Sequence, residues 1–263
     1  MSDDDGRGGL DRALLDLQEL TERLRRDCPW DREQTARTIV PHTVEEAYEV
    51  ADAAYSDDPP KLLDELGDLL FQVYMLALLL SEQGQGDLAQ VARNVQAKLI
   101  RRHPHVFGEH DLPTSGAVRR QWEQIKREQE GREGVFHDVP EALPALLHAR
   151  KAQRRAAAVG FEYADLAGAL ADLEDELREL KAELEGGSPE RRSAELGDLL
   201  FACVNVARRL DADPELELRQ ATRRFVARVE EAERLAAAEG ATWTELELAE
   251  QDRYFDLAKE TET

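Results

Sequence analysis

The sequence predicts an all-α fold, two copies of a four-helix unit joined by a helical linker, on three observations. Ala, Leu, Glu and Arg dominate the 263 residues, a composition that favours helix. Gly and Pro fall in clusters between stretches of helical apolar periodicity, as punctuation between helices does. A seven-residue string, Glu65-Leu66-Gly67-Asp68-Leu69-Leu70-Phe71, returns letter for letter as Glu195-Leu196-Gly197-Asp198-Leu199-Leu200-Phe201. Two copies read as a duplication and not as a solenoid.

The elements follow in order. Residues 2–9 are acidic and Gly-rich, with no signal-peptide core, and are expected to be a disordered lead-in. Leu10, Leu14, Leu17 and Leu24 repeat at helical spacing and predict a first helix to about Arg26. An irregular Cys28-Pro29-Trp30-Asp31 follows. A second helix is expected from near Thr43 to just before Asp57-Asp58-Pro59-Pro60, and a third from there to about Ser81, stopped by Gly84 and Gly86. A fourth runs from Asp87, an N-cap residue, to Arg102, stopped by Pro104. Residues 10–108 are thus a first helical domain. Residues 109–150 are a linker, punctuated by Pro113, Gly116, Gly131, Gly134 and Pro140, with one helix carrying Val118, Trp122 and Ile125. Residues 151–263 are a second helical domain, the helical pattern resuming after Pro144.

Charge and apolar patterning bound the partners. The net charge is −22 and no basic run exceeds three residues, which argues against a nucleic-acid polymer. A small polyanion is different, because bound metal reverses the local sign. Cys28 and Cys203 form no CxxC and suggest no disulfide framework, so a reducing cytoplasmic setting fits. Both are expected to be small buried hydrophobes. The longest apolar stretch, Leu69 to Leu80, is broken by Gln72 and is too short to span a bilayer, so no membrane partner is expected.

The acids carry the chemistry. Glu46 and Glu49 are three apart, as are Glu65 and Asp68, which puts each pair on one helical face. A short turn near Asp58 makes the two helices antiparallel neighbours. Counted from that turn at the helical rise, all four carboxylates lie roughly 10 to 18 Å away, at overlapping heights. The second copy, with its turn near Ser188, repeats the count with Glu176, Glu179, Glu195 and Asp198, each numbered 130 above its counterpart. Four converging carboxylates need a cation. Hard oxygen ligands without His or Cys select Mg²⁺, Mn²⁺ or Ca²⁺ over zinc, and Mg²⁺ suits a phosphate ester. A plainer reading of the first copy also stands. Thr43-x-x-Glu46 has the form of a capping box, which would make Glu46 a helix-start residue. The second copy has no Ser or Thr three residues before Glu176, and its helix is expected to start near Asp165, so capping does not account for Glu176.

These motifs resemble a known family. Glu45-Glu46-x-x-Glu49 followed by Glu65-x-x-Asp68 is similar to the EExxE…ExxD signature of the MazG family of all-α nucleoside-triphosphate pyrophosphohydrolases. Cys28-Pro29-Trp30-Asp31, Arg102-His103-Pro104-His105-Val106-Phe107, Leu143-Pro144-Ala145-Leu146-Leu147 and Ala156-Ala157-Ala158-Val159-Gly160-Phe161 resemble the tandem-domain members in particular. The resemblance covers about residues 10–260. It implies Mg²⁺-dependent hydrolysis of a nucleoside triphosphate (NTP or dNTP, non-canonical ones included) to monophosphate and pyrophosphate, by helical dimers. It implies that Glu46, Glu49, Glu65 and Asp68, and Glu176, Glu179, Glu195 and Asp198, hold metal, with Mn²⁺ as an alternative to Mg²⁺. It implies that Glu45 orients or deprotonates the attacking water. The family's Lys-Phe-x-x-Arg pattern corresponds to Arg224-Phe225-Val226-Ala227-Arg228 here, and, with the second copy's intervening loop four residues shorter, Lys98 and Arg102 align with Arg224 and Arg228 as phosphate-binding bases. Asp175 stands where the signature's first Glu belongs, one methylene shorter, and Phe255 stands where the family has a late Trp.

Other residues carry plainer expectations. His103 and His105 flank Pro104 at a helix end and are expected to form a structural turn and not a zinc site. Trp30 and Trp122 are expected to be core or interface aromatics, not base-stacking platforms. Two rival functions stay open on sequence: a phosphoribosyl-ATP or dUTP-type pyrophosphatase sharing the acidic core, and a non-catalytic nucleotide-binding helical regulator.

Overall fold

The computed structural model describes residues 4–108, 114, 116–118, 121, 125, 134–136 and 139–261. Every regular element among them is helical. The chain divides into two compact units, Met1–Trp122 and Glu123–Thr263. Trp122, assigned above to the core or an interface, lies outside the described residues. Ile125 is buried.

In the first unit, α1 (Asp4–Asp27) leads into the short α2 (Pro29–Glu33), with Pro29 at a position where no backbone donor is missed. Helix α3 spans Ala36–Tyr55. It starts seven residues earlier than the expected Thr43, because Thr35 and Thr38 cap it reciprocally. The Thr38 amide donates to the Thr35 hydroxyl oxygen, and the Thr35 amide to that of Thr38. Thr43 is interior and its hydroxyl donates to the Ile39 carbonyl. The capping-box reading of Glu46 therefore fails: Glu46 lies mid-helix. After α3, Asp57 takes a left-handed backbone, and Asp58 caps α4 (Pro59–Glu82) by accepting from the Lys61 amide. Helix α5 (Leu88–Arg102) is capped by Asp87, and α6 (Pro104–Phe107) follows.

The α3–α4 hairpin is the spine of this unit. Its core joins Ile39 to Met75 and Leu79, with Phe71 and Leu76 against them. Helix α1 crosses onto α4, where the Tyr74 hydroxyl donates to the Leu14 carbonyl. Arg25 holds α1, α2 and α4 together. Its guanidinium donates to both carboxylate oxygens of Glu82 at 2.8 Å, and to the carbonyls of Asp31, Arg32 and Gln34.

In the second unit, α7 (Ala145–Ala157) has its Gln153 amide donating to the Phe201 carbonyl and its Arg150 paired with Asp213. Helices α8 (Leu166–Gly186) and α9 (Pro189–Arg209) form the hairpin. Asp165 caps α8 and Ser188 caps α9, each accepting from the amide three residues on. Asp58 and Ser188, then Pro59 and Pro189, keep the 130-residue correspondence, so α4 and α9 begin in the same register. Helix α10 (Pro214–Ala238), a 3₁₀ turn (Trp243–Glu245) and α11 (Leu248–Glu260) complete the unit. Ala232 and Ala236 pack against Tyr254 and Ala258, with Trp243, Leu246 and Phe255 around them. The small alanines let α11 lie close on α10.

Both hairpins leave apolar side chains in water. Along α4, Leu63, Leu66, Leu70 and Val73 are exposed at alternating spacings of three and four, and Leu196 and Leu200 repeat this on α9. No helix among the described residues is long and apolar enough to cross a membrane. Cys28 and Cys203 are both free thiols. Cys203, expected to be buried, is exposed, because it shares the apolar face of α9 that the unit leaves uncovered.

Candidate metal centre

Each hairpin brings acids from its two helices to one place. Glu46 and Glu49 on α3 and Glu65 on α4 present carboxylate oxygens within 4.8 Å of one another. Glu176 and Glu179 on α8 and Glu195 on α9 do the same. The same pattern of exposure recurs, with Glu46, Glu65, Glu176 and Glu195 half-buried and Glu49 and Glu179 exposed. The cause is local: i, i+3 spacing on one helix and a short, capped turn that sets the height of the other.

Asp68 and Asp198 stand just outside these triads, yet act on them. Burial pushes the Glu46 carboxyl above its usual range, and the charges of Asp68, Glu49, Glu65 and Glu45 push it further. Glu176 is raised in the same way, by burial and then by Asp198, Glu179, Asp172 and Glu195. Glu65 is raised by burial and by a hydrogen bond shared with Glu49, which its protonated form donates; the Lys61 charge opposes this. Carboxylates crowded in this way favour a cation, and the all-oxygen donor set suits a hard one. The clusters can hold a metal ion.

The position of the signature's first acid differs between units. Glu45 is exposed, with His42 Nδ1 3.6 Å from its carboxylate. Asp175, its shorter counterpart, is paired to Arg178 at 2.6 Å. Lys98 is exposed and Arg102 half-buried near the end of α5, while Arg224 is exposed and Arg228 half-buried on α10. Phe225, between the latter two, packs on Phe255 with ring centroids 5.8 Å apart, and Lys259 caps the Phe255 ring. Phe255 is thereby engaged in the α10–α11 packing.

Three residues escaped the sequence reading. Lys61, one turn before Glu65, is the cation that acts on it; the i, i+4 spacing was the available signal. His42 and Asp172 lie one turn before Glu46 and Glu176 on the same stripe, and each meets an aromatic side chain, Trp30 and Tyr163. His103 Nδ1 donates to the Leu99 carbonyl and its ring lies 5.5 Å from that of His105, which matches the expected turn.

Comparison with known proteins decides the family. Residues 34–107, which contain Glu46, Glu49, Glu65 and Asp68, match the MazG nucleotide pyrophosphohydrolase domain. The chain is 39% identical over 258 residues to the nucleoside triphosphate pyrophosphohydrolase of Escherichia coli (strain K12), covering 96% of this chain and 98% of that one. The chain belongs to the MazG nucleotide pyrophosphohydrolase family. A second MazG relative, the nucleoside triphosphate pyrophosphohydrolase/pyrophosphatase MazG of Thermotoga maritima, is 40% identical over 93% of this chain and 94% of its own. A crystal structure of a mazG-related protein from Thermotoga maritima is 28% identical, with a TM-score of 0.38, over 43% of this chain and 97% of that one.

Proposed function

We propose that this MazG protein hydrolyses nucleoside triphosphates, NTP or dNTP, to the monophosphate and pyrophosphate, with Mg²⁺ held by the two acid clusters. The observation that carries the reading is the recurrence of one carboxylate triad, within 4.8 Å, in both hairpins. A solvated acidic face has no reason to repeat that spacing, which counts against a regulator that only binds nucleotide. In this reading Glu46, Glu49, Glu65 and Asp68 bind metal in the first unit, and Glu176, Glu179, Glu195 and Asp198 in the second. Bound Mg²⁺ neutralises phosphate charge and acidifies a coordinated water.

The chain's own groups supply the rest. Glu45 accepts the proton of the water that attacks the α-phosphorus, with His42 holding its carboxylate. Asp175 is one methylene shorter than Glu45 and is tied to Arg178, so its carboxylate reaches the water less readily and the first unit turns over faster per site. Lys98 and Arg102, and Arg224 and Arg228, meet the departing pyrophosphate. Lys98→Ala and Arg224→Ala are expected to raise KM for triphosphate several-fold at unchanged Tm. The domains are residues 10–108 and 151–263, with 109–150 connecting them; α7 carries the end of that connector into the second unit. A homodimer is supported by the stripe of Leu63, Leu66, Leu70 and Val73, since each such side chain gains about 1.5–3 kcal/mol when covered. A cytosolic setting fits the substrate.

The test is product analysis. The wild-type protein with each NTP and dNTP is expected to yield monophosphate and pyrophosphate only with Mg²⁺. Glu65→Ala with Glu195→Ala is expected to abolish this. Undiminished pyrophosphate release from the double variant would overturn the reading.

A further inference from the structure

The face of α4 that packs on α3 changes character part-way along. Glu65, Asp68, Gln72, Met75 and Leu79 recur at spacings of three and four and share one stripe. Met75 and Leu79 pack with Ile39, whereas Asp68 faces Glu46, whose carboxyl its charge raises. The antiparallel register therefore puts Gln72 between the acid cluster and the apolar core, opposite His42 and Thr43. Gln72 is only 7% exposed. Its Oε1 is shut off from solvent and accepts no hydrogen bond among the described residues. Neither residue across from it on α3 fills that need. The Thr43 hydroxyl hydrogen is spent on the Ile39 carbonyl, and His42 is turned to Glu45 and Trp30.

The second unit shows that the hairpin does not need this amide in order to fold. At the positions numbered 130 higher, Ala202 stands in the place of Gln72 and Leu173 in that of Thr43, and Ala202 is buried. The amide on that stripe comes one layer further on, at Asn205, and is satisfied within the protein: its Oδ1 accepts from Arg208 at 2.7 Å. A buried amide oxygen without a donor weakens a fold, and an apolar side chain of the same shape serves at least as well. Packing thus gives no reason for Gln72, and the acids beside it do. Gln72 follows Asp68 by four residues, the spacing at which a Gln NH₂ reaches an Asp carboxylate along one helix face. Carboxylates that ligate a metal are oriented by hydrogen-bond partners of this kind behind them.

We propose that Gln72 is a positioning residue of the first metal centre: from the core side of the acid cluster its amide braces the carboxylates that take Mg²⁺, a support that the second centre lacks. This rests on the clusters being the metal sites. The Gln72 NH₂ donates to the Asp68 carboxylate, and its Oε1 accepts from water that Mg²⁺ retains when bound. The amide touches neither substrate nor reacting atoms. It acts through the ligands, by holding them in the arrangement the ion needs.

The test separates support of the ion from support of the fold. Each centre is isolated in the full chain, the first by Glu195→Gln and the second by Glu65→Gln, and Mg²⁺ binding without nucleotide is measured by calorimetry. Gln72→Met keeps the volume and removes the hydrogen bonds. In the first background it is expected to weaken Mg²⁺ about 10- to 100-fold, while Tm in EDTA stays level or rises, since an unpartnered amide has gone. In the second background Mg²⁺ affinity is expected not to change. Gln72→Ala, which copies Ala202, should give the same loss at the first centre and serves if the Met variant does not fold. Unchanged Mg²⁺ affinity at the first centre, an equal loss at the second, or a Gln72→Met variant whose Tm in EDTA falls would overturn the proposal. Failure of the cluster reading looks different: with Gln72 intact, Mg²⁺ binding would survive Glu65→Gln and Glu195→Gln combined.

Discussion

Replacing Glu46 and Glu176 with Gln is expected to stabilise the metal-free protein while abolishing its activity. The three carboxylates of each triad lie within 4.8 Å of one another, and at that separation two charges repel by about 0.9 kcal/mol in a water-like medium. Glu46→Gln removes two of the three pairs in its triad. Screening over a Debye length of about 8 Å nearly halves their sum, leaving about 1 kcal/mol. Glu176→Gln does the same in the other unit, and independent sites add. The double variant should therefore melt roughly 4–8 °C higher in EDTA than the wild type. With excess Mg²⁺ the order should reverse, because only the wild type gains stability from the ion. Pyrophosphate release should fall about 100-fold or more. Differential scanning fluorimetry in EDTA and in Mg²⁺, beside a coupled pyrophosphate assay, reads all three. A double variant less stable than wild type in EDTA, or one that keeps the Mg²⁺-induced rise, would refute the reasoning.

Two further outcomes follow from the same structure. Glu46, Glu65 and Glu176 have carboxyls raised above the unfolded value, so the folded state binds the extra protons. Their penalty on the metal-free fold is therefore full above the raised values and vanishes as pH falls toward the unfolded one. The Mg²⁺-induced rise in Tm should accordingly shrink between neutrality and pH 5, as protons compete for the ligands, and a pH series of melts checks it; a rise of constant size would count against the carboxylates as ligands. Separately, Arg25→Ala removes the bidentate pair with Glu82 and three carbonyl contacts. It should cost about 2–3 kcal/mol in urea unfolding, and Arg25→Lys, which lacks the fork, should recover little of it.

The acid clusters were legible in the sequence because everything that builds them is local. Spacing of three on each helix and a turn flanked by Asp58-Pro59 or Ser188-Pro189 are enough to bring Glu46 to Glu65 and Glu176 to Glu195. The start of α3 was not legible. The Thr35–Thr38 cap starts the helix ahead of Pro41, which lies inside it. Trp30 is 51% exposed and so not part of the core, which sequence could not show because α2 is fixed by Arg25, itself held by Glu82 57 residues away. The fate of Asp175 turned on Arg178, which reads as an ordinary surface residue until the ion pair is seen.

The identical strings Glu65–Phe71 and Glu195–Phe201 also bear on folding fidelity. Two helices with the same core letters offer each other's partners as decoys, so that α4 could pair with α8. The loops decide between them. The native hairpins close over two or three residues, whereas the wrong pairing of α4 with α8 must close over roughly 80, an entropic handicap of about 3 kcal/mol. It acts before side chains have packed, when the core cannot yet tell the copies apart. Lengthening the Ser56–Asp58 turn would erode that margin, and domain-swapped or scrambled species would be the result, even though no side chain in either core had changed.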